Sequence, residues 1–334
     1  MTAQQQSLSY VRQAIDGLPA ELACGMQVPL PEVPSKIATV VTAGIGASEG
    51  PARMLARLLA DAGLAARFCP IAHLVSTATP ADLLVVFSQG LSPNARLLLD
   101  VAPQYAHRWL VTSVALQTAT ASKQRALQRF LNLEFSCIVA PPTSEPQTLV
   151  RMTGPTVAML IAMRIAGHLL RDARFTQQLA ESPNLYQCHR TFEPLDNTPR
   201  GIITIGLLAE QVHAHRWKLL EALLTGDPPV WDVLQFAHGP LQAFHERDLT
   251  LLVLERGTGS PLLARLRDTL HPKHHRLIHV PSLHADARAF FEHVAAIDAL
   301  LLQTLQATPR DLFNWPGRHG DAPLYGLGSD GSDS

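Results

Sequence analysis

The chain has 334 residues, which is enough for one large domain or for two domains of ordinary size. Hydrophobic residues make up 47% of the sequence and charged residues 16%, so there is ample material for a buried core. The net charge of −1 argues against a general role in binding nucleic acid or a membrane surface. The apolar run at 157–165 is too short to span a bilayer, and Arg164 interrupts it.

The first residues and the cysteines indicate a reducing compartment. The chain opens on the polar stretch Met-Thr-Ala-Gln-Gln-Gln, which lacks the apolar core of a signal peptide. The cysteines are far apart and form no CxxC pair; they are Cys24, Cys69, Cys137 and Cys188. We therefore expect a reduced, cytoplasmic setting.

The first half of the chain alternates short β-branched runs with longer amphipathic runs, after a predicted helical segment at 1–30. The predicted order is strand 36–43, helix 51–62, strand 82–87, helix 93–101, strand 109–113, strand 137–140 and helix 154–170. Strands that alternate with helices predict a parallel sheet covered by helices on both faces.

The second half repeats this pattern. The predicted order is strand 201–206, helix 209–224, strand 249–254, strand 276–280 and helix 286–306, and the segment 230–233 leads into a His-Gly-Pro bend. We expect an α/β protein with two flavodoxin-like, doubly wound parallel sheets in tandem, one over 31–181 and one over 201–316. A polar, Pro-containing linker at 182–200 would join them, and a Gly/Asp/Ser-rich tail would follow at 317–334.

Two strand-to-helix turns in the first half could bind an anion. Gly44-x-Gly46-x-Ser48 follows the first strand, and Ser88-Gln89-Gly90 with Ser92 follows the second. Backbone N–H groups at a helix N-terminus stabilise anions, and open α/β sheets bind ligands at the carboxyl ends of their strands. A single loop of this kind could equally be an ordinary tight turn, in which Gly and Ser serve only the backbone. Two such loops in one unit favour a ligand site. The run lacks the third Gly and the downstream acid of a dinucleotide fingerprint, so we expect no cofactor.

The second half contains residues suited to proton transfer. Lys218 and Glu221 are three apart on a predicted helix, and His238 lies before Gly-Pro in the segment 235–241. A helix carboxylate and a loop imidazole could together move protons on a small molecule. The alternatives are an ordinary exposed helix pair and a structural loop histidine.

Four matches, in order, give the chain a family resemblance. Segment 36–48 matches a strand followed by a Gly-Ser turn, and segment 82–92 matches a strand followed by a phosphate loop. Segment 201–241 contains matches to the motifs Lys-Leu-x-Glu and His-Gly-Pro-Leu. Segment 308–312 matches the motif Pro-Arg-x-Leu. Together these segments resemble the tandem sugar isomerase (SIS) domain family, in particular the isomerase half of glutamine–fructose-6-phosphate aminotransferases. The resemblance covers nearly the whole chain and implies two SIS domains.

The resemblance also implies roles for individual residues. Glu221 would move the sugar proton between C1 and C2, and Lys218 matches the Lys of the same helix. His238 would open the sugar ring and would come from the neighbouring subunit, which implies a homodimer. The residues implied in sugar or phosphate binding are Gly46, Ser48, Ser88, Gln89, Ser92 and Glu145.

The departures from the family pattern bear on the reaction. The phosphate loop Ser-Gln-Ser-Gly-Glu-Thr reads Ser-Gln-Gly-Leu-Ser-Pro-Asn at 88–94, so a hydroxyl is lost and Pro93 removes a backbone N–H. Phe313-Asn314-Trp315 stands where the family has its Schiff-base Lys, and Asn cannot form an imine. Gln235 replaces the Glu before His-Gly-Pro, and no glutaminase domain is present, so any nitrogen donor would be a separate protein.

Other histidines are expected to be structural. His271, His274, His275 and His279 are close in sequence, but Pro272 and the following strand should scatter their directions, which favours a solvated turn over a metal site. His213 and His215 should point to different sides of a helix. We therefore expect no metal.

These features leave three functional hypotheses. The first is an enzyme that isomerises a sugar phosphate or related carbohydrate derivative, or that isomerises or deaminates an amino sugar. The second is a non-catalytic sugar-phosphate sensor or partner subunit, and the third is a diverged enzyme that acts on an unphosphorylated substrate of a specialised pathway. None of the three requires nucleic acid or a membrane.

Overall fold

The computed structural model describes residues 1–77, 79–141, 145–186, 190–207, 209–224, 226–320 and 322–326. Two predicted segments lie partly outside these residues: the linker at 187–189, which includes Cys188, and the tail at 321 and 327–334. The three described cysteines are free thiols.

The chain divides into two compact units, each with its own parallel sheet. The first-sheet unit comprises Ala20–Pro146, Thr153–Ala180 and Asn314–Ser334. The second-sheet unit comprises Met1–Pro19, Gln147–Met152 and Glu181–Phe313.

The first sheet has five parallel strands in the order β2-β1-β3-β4-β5, which is the flavodoxin-like order. Its strands are β1 Thr39–Gly44, β2 Ala65–Phe68, β3 Leu83–Phe87, β4 His107–Val111 and β5 Ser136–Val139. Every residue of β3, the central strand, is buried, as its continuous apolar run predicts for a strand covered on both faces. The prediction of a doubly wound α/β sheet is confirmed.

The helices of the N-terminal half are α1 Ala3–Gln27, α2 Glu49–Asp61, α3 Ile71–Ser76, α4 Pro93–Val101, α5 Ala121–Leu131, α6 Gly154–Leu169 and α7 Ala173–Leu179. Helix α4 begins where the sequence dictates, because Ser92 Oγ accepts a hydrogen bond from Ala95 N at 3.3 Å and Pro93 occupies the first helical position. Helix α6 buries nearly all of its length, which agrees with its apolar sequence.

The second sheet has four parallel strands in the order β7-β6-β8-β9, the order of the first sheet without its fifth strand. Its strands are β6 Arg200–Ile205, β7 Val230–Asp232, β8 Leu249–Glu255 and β9 His275–Pro281. The remaining helices are α8 Ser182–Leu185, α9 Ala209–Leu223, α10 Val233–Ala237, α11 Pro240–Ala243, α12 Pro261–Thr269, α13 Ala289–Ala307 and α14 Ala322–Tyr325. Among the described residues, no helix combines the length and apolar character needed to cross a membrane.

Candidate functional site

The turn after β1 lies at the carboxyl edge of the first sheet and folds tightly back on the strand. A Cβ at Gly44 would come within 2.3 Å of Ser48 O, so only glycine fits there. Gly46 has φ +60°, which also favours glycine. Ser48 is half-buried, and its N–H donates to Ile45 O at 3.2 Å. The predicted Gly-x-Gly-x-Ser turn therefore presents Gly46 and Ser48 at this edge.

The loop after β3 lies at the same edge, because β1 and β3 are neighbours in parallel register with Gly44 opposite Phe87. Ser88 is buried, and its N–H donates to Val111 O at 3.0 Å. The Leu91 backbone has φ +48°, an uncommon conformation for a non-glycine residue and one found at constrained loops. Ser92 Oγ already accepts the α4 cap bond, so less of its acceptor capacity is open to a ligand.

Gln89 and Glu145 meet at the N-terminus of α6. Gln89 Nε2 donates to Glu145 Oε2 at 2.7 Å. The same carboxylate accepts from Thr153 N and Gly154 N, each at 2.8 Å. A Cβ at Gly154 would lie only 2.0 Å from the Gln89 side-chain amide, so glycine makes room for this contact. The structure thus joins two residues that are 56 positions apart and that the family resemblance placed in one site.

This contact gives the edge an acidic character. The carboxylate of Glu145 occupies backbone donors of α6 that could otherwise bind an external anion. Glu21, on α1, has a raised pKa, first because it is partly buried and second because Glu145 lies near enough to repel its negative charge. Sequence reasoning missed Glu21, because α1 carries no motif that would link it to the phosphate loop.

Lys218 lies in the interior of the second-sheet unit. Its Nζ is 2.7 Å from Asp298 Oδ1 and 2.9 Å from Asp298 Oδ2, and the side chains are 2% and 1% exposed. Tyr186 Oη donates to Asp298 Oδ2 at 2.8 Å. Glu221, one turn along α9, is half-buried. The alternative of an ordinary exposed Lys–Glu helix pair is therefore wrong for Lys218.

His238 stands at a sharp bend between α10 and α11. Its side chain is exposed, and its N–H donates to Gln235 O at 3.0 Å. Gly239 has φ +116°, which glycine alone adopts readily, and Pro240 begins α11. Gln242 closes the bend, because its Oε1 accepts from Gly239 N at 2.9 Å and its Nε2 donates to Ala237 O at 3.2 Å. The predicted tight bend is present and holds the imidazole toward solvent.

Gln235, the residue three positions before His238, closes a capping box at the start of α10. Asp232 Oδ1 accepts from Leu234 N at 2.8 Å and from Gln235 N at 3.4 Å. Gln235 Oε1 in turn accepts from Asp232 N at 3.4 Å. The Gln235 side chain therefore stabilises α10, the helix that directly precedes His238.

The histidines near 271 are closer together than the sequence predicts. The ring centroid of His271 is 4.7 Å from that of His274 and 6.4 Å from that of His275. The pKa of His271 is lowered, first by desolvation and then by the charges of His274 and His245. Three of the four rings therefore lie near one another, tilted by 42° and 77° to the His271 ring. His279 lies apart from them and its Nε2 is 2.7 Å from Glu255 Oε2.

These histidines do not form a metal centre within the part of the chain that the structure describes. No group of three or more His, Cys, Asp or Glu side chains there is arranged to hold an ion. His274 and His275 are engaged elsewhere, with Asp248 Oδ1 at 2.9 Å and Phe244 O at 2.8 Å. His215 is fully buried and stacks on Phe290 with ring centroids 5.3 Å apart.

The candidate residues therefore belong to two groups. Gly46, Ser48, Ser88, Gln89, Ser92 and Glu145 lie in the first-sheet unit, and Lys218, Glu221 and His238 lie in the second-sheet unit. Within the first group, the contact between Gln89 and Glu145 is direct. Within the second, Lys218 and Glu221 share α9, and His238 follows α10.

No protein-family model and no curated protein matches the sequence. Solved structures do match the fold. Glucosamine-6-phosphate deaminase from Thermotoga maritima is 15% identical with a TM-score of 0.67, over 91% of this chain and 96% of that one. Tagatose-6-phosphate ketose/aldose isomerase from Escherichia coli is 17% identical with a TM-score of 0.62, over 94% and 96%. The C-terminal domain of glucosamine-fructose-6-phosphate aminotransferase from Francisella tularensis is 12% identical with a TM-score of 0.63, over 88% and 95%. At these identities, the likeness establishes that the chain has the two-sheet α/β fold of these proteins over nearly its whole length.

Proposed function

We propose that this chain is an SIS-type enzyme that binds a sugar phosphate or a related carbohydrate derivative. Its reaction would be aldose–ketose isomerisation, or isomerisation or deamination of an amino sugar. The observation that carries the proposal is the contact between Gln89 and Glu145 at the N-terminus of α6, beside the loop that contains Ser88. The carboxyl edge of a parallel sheet is where open α/β folds bind their ligands, and the three structures above, which share this fold, are named for sugar phosphates.

Proton transfer is assigned to Glu221 and His238. A half-buried carboxylate on a rigid helix can act as a base for the proton between C1 and C2. An exposed imidazole on a closed bend can open a sugar ring. Lys218 supports this arrangement from a distance, because its ammonium is committed to Asp298 and thereby ties α9 to α13. We assign Lys218 as a positioning residue.

The segment 313–315 limits the chemistry that we propose for this chain. Phe313, Asn314 and Trp315 provide no amine for a Schiff base with a ketose, so the substrate would not be held covalently. For amino-sugar synthesis, we propose that a separate protein supplies the nitrogen donor. We also propose a homodimer, because the family resemblance assigns the ring-opening His to the neighbouring subunit.

One observation favours a second function, the binding of a carbohydrate that carries no phosphate. The Glu145 carboxylate occupies two backbone donors of α6, and its charge is felt by Glu21. A phosphate at this edge would face these carboxylates, whereas a neutral or amine-bearing sugar would not. The other alternative is a sugar-phosphate sensor without catalysis. In such a protein the loop at 88–92 would bind the sugar phosphate, but Glu221 would transfer no proton.

The binding proposal is tested with a panel of four ligands. Fructose 6-phosphate, glucosamine 6-phosphate and their unphosphorylated counterparts are titrated into the full chain by calorimetry. We expect binding that Gln89→Leu weakens about tenfold, because the mutation removes the amide bonded to Glu145. If no ligand of the panel binds, or if Gln89→Leu binds as tightly as the parent, this site assignment is wrong.

The catalytic proposal is tested by exchange of the sugar C1 and C2 protons with D₂O, followed by NMR. We expect Glu221→Gln to slow exchange by about 10²–10⁴-fold without loss of binding, since it removes the base and keeps the shape. Glu210→Gln, at the start of the same helix, is the matched control and should leave exchange unchanged. Binding without exchange in the parent protein would support the sensor instead.

A further inference from the structure

A small pocket lies at the amino end of the second sheet. This is the opposite end of the strands from the carboxyl edge, where open α/β sheets bind their ligands. Its volume is about 210 Å³, and it forms where β6 begins and α13 ends. The polar residues that line it are Asp196, Asn197, Arg200, Thr304, Thr308 and Arg310. All of them belong to the second-sheet unit.

Two arginines place positive charge in this pocket. Arg200 is only 8% exposed, and its guanidinium donates to Asp196 O. Its pKa is lowered chiefly by burial, while the Asp196 charge raises it and the Arg310 charge lowers it further. The two guanidinium groups are therefore close enough to repel each other, and one acidic side chain lines the same pocket.

Arg310 has no partner within the described part of the chain. Its guanidinium makes no hydrogen bond or ion pair there, and its Nε is shielded from solvent without an acceptor. A shielded donor on a cation is costly unless something accepts from it. The Asp196 carboxylate does not fill this role, since it is exposed and accepts from Thr198 N at 2.9 Å.

The simplest structural explanation is that the arginines neutralise helix ends. Helices α9 and α13 both end at this pocket, with Leu223 and Thr308 in its lining. A helix C-terminus carries a partial negative charge of about one half and attracts a cation. That attraction does not supply an oxygen to the Arg310 guanidinium, whose planar fork suits the paired oxygens of a phosphate or carboxylate.

We propose that Arg200 and Arg310 bind a small oxyanion of the phosphate class in this pocket, at a site distinct from the carbohydrate site. Thr308 is exposed and lines the same pocket, so its hydroxyl is placed to donate a further hydrogen bond. Free phosphate and the phosphoryl group of a metabolite share this chemistry. The proposal does not depend on the function proposed above.

Calorimetric titration of the full chain with inorganic phosphate at low ionic strength tests this site. We expect saturable binding that Arg310→Gln weakens about tenfold or more, because a charged, bidentate hydrogen-bonding group is lost. Arg310→Lys keeps the charge but not the fork and should lose part of the affinity. Thr308→Val keeps the shape and should weaken binding by a few-fold. Arg265→Gln removes an exposed arginine from α12 and is the matched control.

A second arm separates the two sources of phosphate. Glycerol 3-phosphate that binds more tightly than inorganic phosphate in an Arg310-dependent way identifies a phosphoryl metabolite, and the reverse order identifies the free ion. The proposal is overturned if phosphate does not saturate, if Arg310→Gln and Thr308→Val both bind as the parent does, or if Gln89→Leu rather than Arg310→Gln removes binding. The last result would place phosphate at the first sheet and leave the carbohydrate proposal intact.

Discussion

Lys218 and Asp298 form an ion pair that is almost wholly removed from water. Because the two buried charges compensate each other, with a further hydrogen bond from Tyr186 to Asp298, removal of one partner leaves a poorly compensated charge in the interior. We expect Lys218→Met to lower the free energy of unfolding by about 3–5 kcal/mol, measured by urea denaturation.

A double variant distinguishes the ion pair from simple packing. Lys218→Met with Asp298→Leu replaces both charges by apolar groups of similar size, and we expect it to recover most of the lost stability. A double variant that is less stable than Lys218→Met alone would show that the pair is not what makes the single change costly.

At the level of single residues, local turns could be predicted from the sequence, but long-range partners could not. The Gly-x-Gly-x-Ser turn and the His-Gly-Pro bend could be predicted, since local backbone demands fix them. The partner of Lys218 lies 80 residues away on another helix and could not be read from spacing. One signal existed, however: Asp298 lies within the apolar run Ala-Ala-Ile-Asp-Ala-Leu-Leu-Leu of α13, and an acid in such surroundings needs a buried partner.

At the scale of elements, Gly239 decides whether the bend that carries His238 can form. Its φ of +116° is strained for any residue with a Cβ, although no atom would clash with one. We expect Gly239→Ala to cost about 1–3 kcal/mol in urea unfolding. Gly17→Ala, in the open middle of α1, is the matched control and should stabilise by about 0.5–1 kcal/mol. Equal effects of the two substitutions would contradict this reading of the bend.

The strands that could be predicted were those with β-branched, fully buried sequences, such as β3 and β8. The missed elements lack that signature. Strand β2, Ala65–Phe68, is short and alternates exposed with half-buried residues. Helix α5 buries only three of its residues, so its sequence reads as polar. Tertiary pairing, rather than local pattern, forms these elements.

At the scale of the whole molecule, the alternation of strand and helix patterns along the sequence predicts the two sheets. It does not predict which segments of the chain belong to each compact unit. Met1–Pro19 and Gln147–Met152 belong to the second-sheet unit although segments of the first-sheet unit separate them from the rest of it in sequence. Backbone contacts make the connection: Leu149 N donates to Leu312 O at 2.9 Å, and Leu312 N donates to Ser7 Oγ at 2.9 Å. No local pattern encodes such long-range pairs, so the Pro-Arg-x-Leu segment could be matched to a family but not placed.

Buried neutral histidines make the stability of the molecule depend on pH. Burial lowers the pKa of His293 from the ordinary 6.5 to about 4, and it lowers the pKa of His215 as well. Because the folded pKa lies below the unfolded one, the unfolded chain binds the proton more tightly between these values. This contribution is therefore fully present above pH 6.5 and is lost as pH falls toward 4.

For His293 alone, we expect a loss of about 2 kcal/mol between pH 7 and pH 5, measured by urea denaturation at both pH values. His293→Gln removes the titrating group and keeps an N–H for Glu255 O, which the parent ring nitrogen contacts at 3.1 Å. The variant should lose less stability than the parent over the same interval. An identical loss in both proteins would mean that folding does not lower the pKa of His293, and that carboxylates or other histidines govern the acid sensitivity.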